Sequence, residues 1–244
     1  MSNKTIIQDV LKGVCTEEDV SNAFFELANT PVVTFRFPNK ARTLHIHQDS
    51  QVHEQHTGGI VWETSVLLLN FLLLSKVKIG KNVLELGAGC GLLGLGLALA
   101  NDSVHVTVTD TAQVVAQVHK NVTTNQLQQD SRIKVCAMDW TRYQQDAIAS
   151  SVTAHSFDTL VATDVLFSPE LVQPLLETMQ YFAKPDACMY LCVQIRCAKV
   201  HALFLEQLGD FGWIGSDVTD ELRAIPECKW GPWMGCHLFQ LTHI

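Results

Sequence analysis

Three acids lie in or just after short apolar runs, where ligand-handling groups are commonly mounted. Glu85 sits inside Val83-Leu-Glu-Leu86, Asp110 closes the run 104–109, and Asp164 follows the run 157–162 closely. Between the first two acids stand Gly87-Ala-Gly89-Cys-Gly91 and the apolar stretch 92–100. Strand, glycine loop, helix and a second strand ending in an acid make the βαβ arrangement of a nucleotide-like ligand site. Glycines let the backbone turn tightly and approach a ligand that any Cβ would push away. An acid at the tip of the second strand accepts hydrogen bonds from both hydroxyls of a ribose.

The spacing narrows the ligand. A dinucleotide fingerprint places its third glycine three residues after the second, so that pyrophosphate can rest on the helix N-terminus. Here that place is Leu92, and the glycine falls at Gly91. Glu85, two residues before Gly87 and near the pocket floor, is a poor neighbour for pyrophosphate. It suits a ligand with sulfonium and ammonium charges. S-Adenosylmethionine is such a ligand, with an adenosine for Asp110 and an amino acid tail for the loop. This reading stands ahead of a nicotinamide site and of a Rossmann-like domain without a ligand.

Further candidates come from the elements that position this loop. Residues 111–127 read as an amphipathic helix and 133–138 as a third strand, followed by Asp139-Trp140. Strand C-termini line the ligand crevice of such sheets, so this acid and indole flank a purine there, Asp139 or its backbone meeting the adenine amino group. The run 157–162 is a fourth strand ending in Thr163-Asp164-Val-Leu-Phe167. That places Asp164 at the cleft mouth, nearest the transferred group. Ser168 caps the next helix, with Pro169 in its first position. Upstream, Thr57-Gly-Gly-Ile-Val-Trp62 leads into an apolar helix over about 60–74. Trp62, in its first turn, is either an aromatic anchor or a lid over the cofactor. Residues 187–195 read as a fifth strand, 198–208 as a helix, and 217–225 with 236–243 as a closing strand pair.

Residues 1–56 carry less information. Short helices are expected over 6–14 and 16–27, the second capped by Thr16 with Asp19 three residues on. A hairpin is expected from 32–37 and 42–47. His45, His47, His53 and His56 fall on strand and loop faces without a cysteine partner or a helical His-x-x-x-His pair, so no metal site is read there. There are no repeats and no linker. The chain of 244 residues is read as a methyl-donor domain over 57–244 with a helix-and-hairpin extension, 1–56, packed on it.

Composition agrees with a packed α/β protein: 47% of residues are hydrophobic and 17% charged. A formal charge of −8 without a basic run argues against nucleic-acid binding. The charge-free stretch 66–74 is too short to span a bilayer, and the N-terminus lacks a signal-peptide pattern. Eight scattered cysteines without a Cys-x-x-Cys pair point to a reducing cytoplasm, with a nuclear pool left open.

Taken together, these residues resemble the seven-β-strand methyltransferases, and more narrowly methyltransferase family 16, whose members mostly methylate lysines of specific proteins. The resemblance rests on Gly-Gly-x-x-Trp62, the motif from Val83 to Gly91, Asp110, Asp139-Trp140 and Asp164-x-x-Phe167. It implies cofactor contacts from Trp62, the Gly87-Ala88-Gly89 backbone, Asp110, Trp140 and Thr163. It also implies the sheet order 3-2-1-4-5-7-6 with strand seven antiparallel. The expected substrate is a protein lysine, on a chaperone or translation factor, with Asp164 orienting the ammonium and Phe167 walling its channel. The fourth strand lacks the Asn-Pro-Pro-Tyr type motif of amide and amino-base methyltransferases. Small-molecule amine methylation and a non-catalytic scaffold are the alternatives; nothing demands more than a monomer.

Overall fold

Val83, Leu84 and Leu86 are fully buried, as a strand must be when helices cover both of its faces. The computed structural model describes residues 5–38, 40–49 and 57–244. It begins with β1 (Thr5–Ile6), α1 (Ile7–Val10), α2 (Glu17–Ala28), β2 (Val32–Arg36) and β3 (Thr43–His47). Next come α3 (Glu63–Leu74), β4 (Asn82–Leu86), α4 (Leu92–Ala100), β5 (His105–Asp110), α5 (Ala112–Thr124) and β6 (Ile133–Ala137). The chain continues through α6 (Tyr143–Ser150), β7 (Phe157–Thr163), α7 (Val172–Phe182) and β8 (Ala183–Gln194). It closes with α8 (Ala198–Gln207), β9 (Trp213–Asp217), α9 (Thr219–Arg223) and β10 (Cys236–His243).

The main sheet runs β6-β5-β4-β7-β8-β10-β9, with β10 antiparallel to both neighbours and the other pairs parallel. Counted from β4 as the first strand, this is the expected 3-2-1-4-5-7-6. Alternate strand residues feed two apolar layers. Val83, Val161 and Tyr190 join the layer of α3, α4 and α5, whereas Leu84, Leu160 and Met189 join that of α6, α7 and α8. This period of two is what a strand covered on both faces supplies.

The first layer is continuous with the N-terminal elements. Ile7, Phe24, Phe35 and Ile46 share one apolar cluster with Leu67 and Leu69, and the Phe24 ring lies 5.1 Å from that of Trp230. Polar pairing fixes β3. Asn121, fully buried on α5, accepts the His47 N–H (2.7 Å) and donates to His47 O (3.2 Å) and Cys90 O (2.9 Å). One turn on, Asn125 accepts the His45 N–H (2.8 Å) and donates to His45 O (2.6 Å). These two amides pair the edge of β3 as a neighbouring strand would. Replacing Asn121 by alanine leaves buried backbone groups unpaired and should cost about 2–3 kcal/mol. Urea unfolding measures this; a loss below about 1 kcal/mol would mean that something else holds the hairpin.

Several boundaries differ from the sequence reading. Thr16 and Asp19 do form the capping box of α2. Residues 5–14, however, give only the two-residue β1 and one helical turn ending at Val10, and Gly13 follows at φ 87°. Thr57–Gly59 form a separate 3-10 turn, and Trp62 is the extended N-cap of α3 rather than a first-turn residue. Helix α7 begins at Val172 after a 3-10 turn over Pro169–Leu171, and the Ser168 hydroxyl bonds to Glu170 instead of capping the backbone. Residues 217–225 are not a strand. The Asp217 carboxylate accepts the Thr219 N–H (2.8 Å) and starts α9, while β9 lies earlier with only Trp213 buried, so no alternation marks it. His53 and His56 lie outside the described residues.

Candidate active site

The winding order reverses between β4 and β7, and a crevice opens beyond their C-terminal ends. A cavity of about 340 Å³ occupies it. Its wall takes in Trp62, Gly87, Ala88, Gly89, Asp110, Asp139, Trp140, Thr163, Asp164 and Phe167, and also Arg196. All but one of the sequence-derived candidates therefore converge on one site.

The glycine loop forms its floor. Gly87 and Gly89 have φ of 69° and 53°, a region that L side chains rarely adopt. A Cβ on Gly87 would also lie 2.8 Å from Val165. Asp110 closes the end of β5 and ties the loop down: its carboxylate accepts the Gly89 N–H (2.8 Å) and the Thr111 N–H (2.7 Å). Trp140 leans over the same loop from the end of β6. Asp139 lines the wall, but one carboxylate oxygen is taken by Thr141 N–H (2.9 Å) and hydroxyl (2.7 Å), and its own N–H donates to Asp146 (2.8 Å).

Glu85 is the exception and corrects the sequence reading. It does not line the cavity; its side chain is buried beneath the loop and accepts the Gly94 N–H (3.0 Å). A Cβ on Gly94 would overlap the same carboxylate oxygen, so the glycine in α4 makes room for the acid. Burial pushes the Glu85 carboxyl up to about 8, with the Gly94 N–H pulling the other way. A carboxyl raised in the folded state holds its proton more tightly there than in the unfolded chain. Its contribution is therefore full below the ordinary value of 4.5 and is lost as pH rises toward 8. In cofactor-free protein, stability should fall by a few kcal/mol from about pH 5 to about pH 8. Glu85→Gln should flatten that slope in urea titrations, and an unchanged slope would show that Glu85 is not its source.

At the other side of the crevice, Asp164 directly follows β7 with φ 53°, a left-handed conformation that Asp tolerates better than most residues. Its N–H donates to Cys192 O (3.0 Å), and one carboxylate oxygen accepts the Gln194 N–H (2.8 Å). Asp164 lies within the wall, its side chain only 8% exposed, rather than at the mouth. Phe167 occupies the mouth and is 57% exposed. Burial raises the Asp164 carboxyl above the usual aspartate value, opposed chiefly by Arg196. Trp62 turns out to be both anchor and wall: its Nε1 donates to Thr57 O (2.9 Å), and its ring lies beneath the Arg196 guanidinium.

Two charged residues escaped the sequence reading: Arg196, which lines the cavity, and Glu63, which lies behind it, 4.0 Å from Arg196. Glu63, at the first position of α3, reads as an ordinary acid at a helix N-terminus. Arg196, two residues beyond β8, reads as a loop cation. The rule that strand C-termini face the crevice would have singled out Arg196; nothing local singles out Glu63.

This sheet order, with a loop-floored cavity at its switch point, defines a Rossmann-like methyltransferase fold. The mitomycin 7-O-methyltransferase MmcR shares it at TM-score 0.56 and 14% identity, over 98% of this chain and 66% of that one. At the sequence level the family profile described as lysine methyltransferase matches residues 38–211, and the chain belongs to that family, methyltransferase family 16. EEF1A lysine methyltransferase 3 of Xenopus tropicalis is 28% identical over 137 residues, covering 56% of this chain and 57% of its own. Protein N-lysine methyltransferase METTL21A of Danio rerio is 29% identical over 146 residues, covering 57% and 62%. The chain thus spans about three fifths of the length of these curated relatives.

The residues present fit S-adenosylmethionine. The positive-φ glycines leave open a cradle that any Cβ would fill, Asp110 offers a carboxylate beside it, and Trp140 offers an aromatic wall.

Proposed function

We propose that this protein is an S-adenosylmethionine-dependent N-methyltransferase that methylates a lysine side chain of a specific protein. The observation that carries the reading is the convergence of Asp164 and the glycine loop with Asp110 on one cavity. When bound, the cofactor supplies an electrophilic methyl group on a sulfonium. Gly87, Ala88 and Gly89 would take its amino acid end, Asp110 its ribose hydroxyls, and Trp140 its purine. Trp62 and Thr163 would close the cavity around it.

The remaining work is alignment of a neutral nitrogen with that methyl group. A lysine has an unperturbed pKa of about 10.4 and arrives protonated. The Asp164 carboxylate receives the ammonium, sets its direction, and holds it until a proton passes to water. Phe167, at the mouth, walls the channel along the lysine stem. A half-exposed aromatic beside a buried acid supports a substrate that enters from solvent as a side chain, rather than a small amine sealed in an apolar pocket. The relatives named above include an EEF1A lysine methyltransferase and a protein N-lysine methyltransferase, which supports a lysine of a specific protein, such as a chaperone or translation factor, as the target.

We further infer a cytoplasmic protein, with a nuclear pool left open, that acts as a monomer. Its eight cysteines, all free, support a reducing compartment. Among the described residues no helix is long and apolar enough to cross a membrane. Net charge −8 supports a protein partner over nucleic acid. The test is incubation of the full chain with cell lysate and S-adenosylmethionine carrying a labelled methyl group. Label recovered as methyllysine in one or a few proteins is expected; label confined to small molecules would replace this reading with a small-amine methyltransferase.

A further inference from the structure

Arg196 covers the acidic side of the cavity, between Trp62, Asp164 and Glu63. Its guanidinium lies 4.5 Å from the centroid of the Trp62 ring. One terminal nitrogen, Nη2, is 3.3 Å from Asp164 Oδ2 and 4.0 Å from Glu63 Oε2. Both oxygens are buried with no hydrogen bond of good geometry among the described residues, and Arg196 itself and the buried Thr64 hydroxyl beside Asp164 are the donors that offset the burial of the Asp164 carboxylate. The best bonds of the guanidinium go elsewhere: Nε (2.9 Å) and Nη2 (2.5 Å) both donate to the Gln194 side-chain oxygen. The exposure is lopsided. The Asp164 and Glu63 side chains are 8% and 15% exposed, whereas Arg196 is 46% exposed.

A buried acidic pair is therefore covered by a half-exposed cation that reaches its two inner oxygens at only 3.3 and 4.0 Å. Imperfectly paired buried carboxylate oxygens are costly, so a cation able to reach both oxygens at closer range would be bound in preference to the guanidinium. A guanidinium is planar, and this one is held by Gln194. An alkylammonium is a compact charge with three donors directed apart on a flexible apolar stem. It can serve Oδ2 and Oε2 together while its stem lies along Trp62.

Resting on the reading of this cavity as a lysine-methylating site, we propose that Glu63 and Asp164 jointly form the receptor for the substrate ammonium, with Arg196 as the resident cation that it displaces. Glu63 thereby becomes a second substrate-binding carboxylate. Arg196 keeps the acid pair compensated while no substrate is bound, and yields the Trp62 face when lysine arrives. Displacement requires no covalent change, only rotation of a half-exposed side chain toward solvent. A resident competitor lowers apparent affinity by the fraction of time that the site is open. An arginine seated about nine-tenths of the time would weaken cation binding about tenfold.

The experiment is an NMR titration of the full chain with n-butylammonium chloride, a lysine side-chain mimic, with and without S-adenosylhomocysteine. The Trp62 indole N–H, assigned with Trp62→Phe, reports binding. Arg196→Gln is expected to bind n-butylammonium about tenfold more tightly than the parent. Adding Glu63→Gln to that variant should abolish the gain. Equal or weaker binding by Arg196→Gln, a gain that survives Glu63→Gln, or no binding to either protein would overturn the proposal. The parent protein gives a second reading that does not depend on the variant folding. Exchange of the Arg196 Nε–H with solvent should accelerate as n-butylammonium saturates the site, and unchanged protection would overturn the displacement. S-Adenosylhomocysteine affinity, measured on the same sample, separates the two claims. Its absence would sink the methyltransferase reading, whereas its presence with an inert Arg196 would sink this inference alone.

Discussion

Asp164→Asn is expected to lower methyl transfer by on the order of a thousandfold while S-adenosylhomocysteine affinity stays within about threefold of the parent. The substitution keeps the shape of the side chain and also tolerates the left-handed backbone at this position. The asparagine oxygen can still accept the Gln194 N–H that Asp164 Oδ1 accepts now. What changes is the inner position, Oδ2, where an acceptor becomes a donor facing Arg196 and any incoming ammonium. Cofactor contacts made by Asp110 and the glycine loop are untouched, so the loss should appear in turnover and not in cofactor binding. Asp164→Ala should lose at least as much. Single-turnover assays with methyl-labelled S-adenosylmethionine and calorimetry on the same preparations separate the two effects. Equal turnover by the asparagine variant would remove Asp164 from the chemistry.

The second large effect falls on the cofactor. Asp110→Ala should weaken S-adenosylhomocysteine binding by at least a hundredfold, since hydrogen bonds to a charged acceptor are each worth about 1.5–3 kcal/mol. Two losses combine in this variant. The ribose hydroxyls lose their acceptor, and the Gly89 and Thr111 N–H groups lose the carboxylate that fixes the loop. Asp110→Asn keeps one acceptor oxygen and should fall between parent and alanine. Calorimetric titration of the three proteins reads the series directly. A change of tenfold or less for alanine would show that the ribose is not held at the end of β5.

The central part of this site was legible because its signals are local. A strand of three buried aliphatics around one acid, three left-handed glycines and the apolar helix α4 lie in adjacent segments, and each has few physical alternatives. Helix α4 spans the 92–100 expected from the sequence. Asp110 was legible for the same reason, as the end of an apolar run. Trp62 was nearly so: its place in the site was anticipated, its place at the N-cap was not, because Thr57–Gly59 take up a separate turn. Glu85 shows the limit of residue type as a guide. The acid was expected to offer its charge to a ligand, but α4 brings the Gly94 N–H and an apolar surround onto it, and burial raises its carboxyl to about 8. Glu63 and Arg196 were illegible for a different reason. Each is unremarkable in its own segment, and their meaning arises only where α3 and the end of β8 meet at Asp164. Strand β9 was misplaced because it buries one side chain at the sheet edge and leaves no periodic trace.

The most direct test of the account is calorimetric titration of the full chain with S-adenosylmethionine and, separately, with NAD. Saturable one-to-one binding of S-adenosylmethionine, lost in Asp110→Ala, and no heat with NAD are expected. Binding of NAD, or of neither ligand, would contradict the assignment of this cavity to a methyl donor.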